Sequence, residues 1–296
     1  MSVPQRIAIT GASGLIGTAL VGHLKSEGHT VQRLVRRTPI SADEVQWDPQ
    51  TGFVDLEPLR GVDAIIHLAG VGVGDKRWNK KYKSEILNSR LLGTTAIAHA
   101  VAELKPQVFI SASAIGWYGE SGNRAVVETD RAGDDFLAAV CREWEGAADL
   151  AGDTRTVKIR TGLVLDPTGG ALGKMLPLFR LGLGGKMGNG KQWWSWITLH
   201  DQIRAIVFAL ENPISGPVNL TAPNPVTNQE FTSALARAMH RPALFPVPGI
   251  ALKIALGGFS SEILGSKKVI PHALQEAGFT WDYPHISEAL GKLVED

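Results

Sequence analysis

The sequence predicts an α/β fold: a doubly wound parallel sheet with helices on both faces, followed by a smaller C-terminal α+β region. Three observations predict it. Short apolar runs alternate with stretches of helical periodicity as far as residue 161. The first apolar run ends in a glycine-rich turn that opens straight into a helix. Beyond residue 164 the alternation gives way to segments rich in Gly, Pro and Asn.

The elements follow in order. Residues 6–10 (Arg-Ile-Ala-Ile-Thr) form a short apolar strand. Leu15, Ile16, Ala19, Leu20 and Leu24 then recur at helical spacing, so 14–27 reads as an amphipathic helix stopped by Gly28-His29. Residues 30–35 give a second strand and 63–68 a third. A helix over 79–103 carries Leu87, Leu91, Thr94, Ala98 and Val101 on one face. Strand 107–113, helix 134–151 and strand 155–161 complete the series. Such alternation makes βαβ units, and right-handed crossovers place helices on both faces.

In the second half, Met175 to Leu183 is a helix-like apolar stretch inside a glycine-rich segment. Residues 213–228 are rich in Pro and Asn, Ala251–Leu264 reads as helical, and a last short helix follows Trp281-Asp282-Tyr283-Pro284. The expected division is 1–164 for the sheet domain and 165–296 for a smaller domain over its carboxyl edge, with 197–211 returning to the first.

Bulk properties bound the function. The 296 residues are 44% hydrophobic, enough for a full core. A formal net charge of +1 argues against an extended nucleic-acid surface. The single cysteine, Cys141, excludes an intrachain disulfide framework and a multi-cysteine zinc site. There is no signal-peptide pattern, and no apolar run approaches the ~18 residues of a membrane span. The expectation is a soluble, cytoplasmic protein acting on a small molecule, without a nucleic-acid or membrane partner.

The glycine turn reads Gly11-Ala12-Ser13-Gly14-Leu15-Ile16-Gly17. Its place after a strand and before a helix marks a dinucleotide-binding loop of the Rossmann type. Gly11 permits the tight turn, Gly14 lets backbone approach a pyrophosphate, and Gly17 lets the helix lie close to the strand. The free N–H groups and positive helix end then face phosphates. The second strand ends Leu34-Val35-Arg36-Arg37, with no acid until Asp43. An acid there would take the ribose hydroxyls of NAD; guanidinium groups instead suit the 2′-phosphate of NADP(H). The alternative is a solvated basic loop.

Thr10 to Gly17, His67-Leu68-Ala69-Gly70 and Ser111-Ala112-Ser113 resemble the extended short-chain dehydrogenase/reductases. Arg77-Trp78-Asn79, Ser89-Arg90, Gly116-Trp117-Tyr118-Gly119, Arg160 to Leu165 and Trp196-Ile197 are similar to an atypical branch, the "epimerase family". Its characteristic C-terminal segment corresponds to Pro246-Val247-Pro248, Lys267 to Pro271, Ala277-Gly278-Phe279 and Tyr283-Pro284. The resemblance implies that Leu68, Ala69 and Gly70 line the cofactor and that Val35 and Arg36 touch its adenosine side. The larger family carries Asn three residues before Gly-Thr; here Arg90 stands there, before Gly93-Thr94. The resemblance implies a cofactor contact for Arg90, which as an arginine can reach a phosphate or a substrate anion. Glu85 is a candidate partner; the alternative makes both surface charges.

The larger family's chemistry needs Tyr and Lys four residues apart on one helix face. Here the helix offers Leu137/Cys141 or Cys141/Glu145, so the standard mechanism does not carry over. Ser113 takes the place of the family's polarising Ser, and Tyr118 follows in a glycine-flanked loop; these are the candidate substrate-side groups. Alternatively, the Ser113 hydroxyl is tied to backbone and Tyr118 packs in a turn. Cys141 reads as a small buried hydrophobe rather than a nucleophile. Glu145 reads as structural, His67 as a strand-end residue, Trp193, Trp194 and Trp196 as the wall of an interdomain groove rather than a stack for a planar substrate, and Asp201 as a helix N-cap. Arg180, Lys186 and Lys191 are either attractors for an anionic substrate or solvated charges. The functional expectation is an NADP(H)-binding oxidoreductase or epimerase-like enzyme acting on a small carbonyl or carbinol compound. A non-catalytic NADPH sensor and a nucleotide-sugar epimerase are the alternatives.

Overall fold

Alternating side chains decide which face of each strand is buried against which helices, and here both faces are apolar. The computed structural model describes residues 3–295. Eight strands build the central sheet: β1 (Arg6–Thr10), β2 (Thr30–Val35), β3 (Glu44–Asp48), β4 (Phe53–Val54), β5 (Ala64–His67), β6 (Val108–Ala114), β7 (Arg155–Thr161) and β8 (Gly216–Leu220). Their order is β8-β7-β6-β5-β1-β2-β3-β4. All neighbours run parallel except β3 and β4. The fold is a doubly wound Rossmann-type α/β sheet.

Ten α-helices accompany it among the described residues: α1 (Leu15–Ser26), α2 (Lys80–Leu104), α3 (Phe136–Ala148), α4 (Gly170–Arg180), α5 (Leu199–Glu211), α6 (Asn228–Ala238), α7 (Gly249–Leu256), α8 (Ser260–Leu264), α9 (His272–Glu276) and α10 (Ile286–Glu295). Ile7, Ile9, Ile66 and Ile110 point to one face, where Leu20 and Leu24 of α1 and Ile206 and Ala209 of α5 cover them. Ala8, Ile65 and Phe109 point to the other, against Ile97 and Val101 of α2 and Ala148 of α3. Burial on both faces is the signature of a parallel sheet. A third apolar cluster unites Met175 and Phe179 of α4, Phe231 and Leu235 of α6, Leu290 of α10 and the fully buried Trp196.

The second half departs from the sequence reading in several places, the unexpected α6 among them. β8 lies inside the Pro/Asn-rich stretch and pairs with β7 from Gly216↔Val157 to Leu220↔Thr161. α4 begins earlier than Met175 and carries Pro177 inside it. α7 and α8 replace one continuous helix, because Gly257 turns the chain at φ +60°. Thr198, not Asp201, caps α5; its side chain accepts from the Asp201 N–H. Asp201 is buried one turn in, where it accepts from the Asp282 and Tyr283 N–H groups and pairs with Arg204 at 2.8 Å. No helix among the described residues is long and apolar enough to cross a membrane.

Candidate functional site: a groove at the switch point of the sheet

β1 stands between β2 and β5, so strand order reverses on either side of it. Open α/β sheets bind ligands at such a switch point, beyond the carboxyl ends of the strands. A groove of about 1130 Å³ opens there. Gly11, Ala12, Ser13 and Gly14 form its floor, Val35, Arg36 and Arg37 one side, and Leu68, Ala69, Gly70 and Val71 the other.

The glycines have measurable reasons. Gly11 has φ +69°, and a Cβ on it would stand 2.8 Å from the Leu68 carbonyl carbon. A Cβ on Gly17 would lie 2.1 Å from the Gly11 carbonyl oxygen, so only glycine lets α1 seat on the loop. Gly14 caps α1 without a side-chain bond, which leaves the first-turn N–H groups for a ligand. A Cβ there would meet only the Gly11 oxygen at 3.4 Å, so the space above it is open. Leu15 and Ile16, also expected here, belong to that first turn; Leu15 packs toward Gly169 and Gly170 and does not line the groove.

The Thr10 hydroxyl fixes the opposite wall. It accepts from the Leu68 and Ala69 N–H groups at 3.1 and 3.3 Å and shares a hydrogen bond with His67 Nδ1 at 2.7 Å. His67 is fully buried, and burial pushes its pKa down to about 3. A neutral imidazole in this role is structural, as the sequence suggested.

The basic side divides in two. Arg37 Nη1 and Nη2 donate to the two Glu44 carboxylate oxygens at 2.7 and 2.6 Å, which holds that carboxyl below the usual range. Arg33 is tied to Asp43. Arg36 is exposed, lines the groove and has no hydrogen-bond or ion-pair partner among the described residues. The expected pair of free guanidiniums is therefore one free and one neutralised. The reason is β3: it aligns Glu44 with Arg33, a proximity that the sequence hid.

Ser113 and Tyr118 do not line the groove. Both are buried in a polar network beneath the carboxyl edge. Ser113 Oγ donates to Glu145 Oε1 at 2.7 Å. Arg160, 2% exposed, clasps both Glu145 oxygens with Nε at 2.8 Å and Nη2 at 2.9 Å. Its Nη1 donates to Tyr118 Oη at 3.1 Å, and Tyr118 donates to Asn219 Oδ1 at 2.7 Å. Burial pushes the Tyr118 phenol up to about 12. The helix face that would carry the Tyr/Lys pair is itself covered: a Cβ on Gly116 would lie 3.2 Å from Leu137 and 3.6 Å from Cys141. Burial pushes the Cys141 thiol up to about 12 as well.

Arg90 and Glu85 do not pair. Glu85 reaches Lys76 at 3.5 Å. Arg90 Nη1 donates to the Val71 and Ile86 carbonyls, and its guanidinium lies over the Trp144 ring at 4.7 Å. Of the tryptophans read as the wall of an interdomain groove, Trp194 and Trp196 pack in the α4–α6 cluster and Trp193 donates to Asn123. Sequence reasoning missed Trp47, Pro49, Gln50, Asp75, Lys76 and Tyr82 as lining residues. The only signal for any of them was the basic run from Lys76 to Lys83.

Comparison with known proteins places this geometry. Residues 7–138 match the NAD dependent epimerase/dehydratase family, and residues 247–293 match a domain of unknown function, DUF1731. An epimerase family protein of Mycobacterium leprae is 46% identical over 289 residues, which cover 96% of this chain and 94% of that one. The chain belongs to the epimerase family. Other members include a bovine protein, SDR39U1, at 37% identity over 98% of this chain. The crystal structure of human epimerase family protein SDR39U1 (isoform 2) with NADPH superposes with a TM-score of 0.91 at 33% identity, covering 98% of this chain and 99% of that one. A nucleoside-diphosphate sugar epimerase of Corynebacterium glutamicum aligns at 37% identity with a TM-score of 0.80; the alignment spans 99% of this chain and 59% of that one. MoeE5, solved with UDP-glucose and NAD, shares the fold at 20% identity.

Proposed function

We propose that this epimerase-family chain binds NADPH in the groove and acts as an oxidoreductase on a small carbonyl or carbinol compound. The observation that carries the reading is a conjunction. An uncapped helix N-terminus and an unpartnered arginine beyond β2 face one groove. The residues fit the cofactor: Gly14 leaves room for a diphosphate, and no carboxylate answers Arg36.

The α1 N–H groups would hold the diphosphate, and Arg36 the 2′-phosphate. Leu68 and Ala69, set by Thr10, would support the nicotinamide half. When bound, the nicotinamide supplies or takes up a hydride. The substrate would lie where the carboxyl ends of β5 and β6 meet the C-terminal elements other than α5 and β8, which themselves belong to the sheet layers. The NADPH bound to human SDR39U1 supports the same cofactor here.

A second reading, an NADPH sensor without turnover, draws on the buried network. Both candidate hydroxyl protons already have acceptors, Glu145 for Ser113 and Asn219 for Tyr118. The two readings part on a panel of aldehydes and ketones mixed with protein and NADPH. Loss of 340 nm absorbance, abolished by Ser113→Ala, supports the enzyme with Ser113 in its chemistry. Tight NADPH binding with silence across the panel supports the sensor.

A further inference from the structure

α7 is an apolar helix that the fold leaves almost wholly uncovered. It reads Gly-Ile-Ala-Leu-Lys-Ile-Ala-Leu, and only Leu252 is buried. Ile250 and Ile254, one turn apart on one face, are 74% and 71% exposed. Neighbouring segments extend that face. Residues 184–188 run beside 245–247, with the Phe245 N–H donating to the Gly184 carbonyl and the Val247 N–H to that of Lys186. Arg241 Nε donates to the Arg180 carbonyl at 3.3 Å, which ties the chain after α6 to the end of α4. These contacts gather the exposed Leu178, Leu181, Leu183, Leu244 and Phe245. With the two isoleucines they make roughly 700 Å² of apolar surface, beyond the about 300–600 Å² of the largest patch on a typical monomer.

Charge decides what such a face can meet. Its two stretches of chain, 167–200 and 231–261, contain no Asp or Glu. Arg180, Lys186, Arg241 and Lys253 stand among the apolar residues, and none is in a salt bridge among the described residues. Of the acids on flanking elements, Glu262 pairs with Lys267 at 2.9 Å and Glu230 closes the capping box of α6, while Glu288 and Glu295 lie on α10, which packs on α6. A second copy of the chain would set basic rim against basic rim across a two-fold axis. A protein partner would be met by Tyr, Trp or Arg anchors; here six of the seven apolar residues are Leu or Ile. An aliphatic face with a cationic rim suits the boundary of an anionic bilayer.

We propose that this face rests on a lipid surface. The leucines at the end of α4, Leu244, Phe245 and the α7 isoleucines enter the acyl boundary, and the four cations hold anionic headgroups. The expectation of no membrane partner rested on the lack of a spanning segment; a face that lies on a bilayer needs none. The inference is independent of the cofactor reading. It gives a role to the first helix of the segment that matches DUF1731, residues 247–293.

Co-sedimentation with vesicles tests it, with phosphatidylcholine alone and with phosphatidylcholine containing about a third phosphatidylglycerol. The protein binds the anionic vesicles at least about tenfold more tightly than the neutral ones, and high salt releases it. Ile250→Glu/Ile254→Glu lowers the affinity at least about tenfold. Lys253→Gln lowers it about fivefold and keeps the test open should the glutamates disturb α7. Far-UV dichroism and the thermal midpoint of Lys253→Gln match the wild type, since that side chain is exposed. A wild type that stays in the supernatant with anionic vesicles overturns the proposal; if it then forms a dimer that Ile254→Glu dissolves, the face belongs to a second copy. Equal binding to neutral vesicles, or anionic binding that survives both sets of substitutions, overturns it too.

Discussion

Replacing Glu145 by Gln tests whether the Ser113–Tyr118 network is built around one buried ion pair. The carboxylate accepts from Arg160 Nε and Nη2 and from Ser113 Oγ, all at 2.7–2.9 Å. Arg160 is 2% exposed and Glu145 5%, so water cannot replace the lost partner. Gln supplies one acceptor, turns an amide N–H toward the guanidinium and leaves its charge unanswered. Breaking such a pair costs about 3–5 kcal/mol. At about 2–4 °C per kcal/mol for a chain of this size class, the midpoint falls by roughly 10 °C. The double variant Glu145→Leu/Arg160→Met removes both charges and recovers at least about half of that loss. Urea unfolding followed by tryptophan fluorescence measures both. A single-variant loss under about 1 kcal/mol, or a double variant as unstable as the summed single variants, refutes the ion-pair account.

Three further outcomes are expected. His67 binds its proton near pH 3 folded and near 6.5 unfolded, so the unfolded chain holds more protons between those values and stability falls as pH drops through that window, by up to about 1.4 kcal/mol per unit; the slope of unfolding free energy against pH should lose one proton's worth in His67→Asn. Gly17→Ala drives a methyl to 2.1 Å from the Gly11 oxygen, and displacing α1 should cost about 1–3 kcal/mol and weaken NADPH, as thermal shift with and without cofactor would show. Cys141, buried with its thiol pushed up to about 12, should resist a disulfide reagent at pH 8 and react fully in urea; prompt reaction of the native protein would contradict its burial.

The first half of the fold was legible because its periodicities are clean. Residues 6–10 and 30–35 are strands as read, and the helix expected over 79–103 is Lys80–Leu104. β3 was missed because Glu44-Val45-Gln46-Trp47-Asp48 carries charge at both ends and follows a polar loop. β8 was missed because Pro217 and Asn219 look like turn residues; Pro217 fits there because β8 is an edge strand. α6 had a local signature, Thr227 with Glu230 in a capping box, that a closer reading would have found. The glycine loop was legible because its geometry is local. The fates of Arg37, Glu85, Ser113 and Tyr118 were not, since each depends on a partner brought in by tertiary structure: Glu44, Lys76, Glu145 and Asn219.

The central claim is that Arg36 makes this groove select a 2′-phosphorylated dinucleotide. Fluorescence titration of wild type and Arg36→Ala with NADPH and with NADH tests it directly. Wild type should bind NADPH at least about tenfold tighter than NADH, and the variant should lose that gap while its NADH affinity holds. Equal affinities in the wild type, or a gap that survives the substitution, would contradict it.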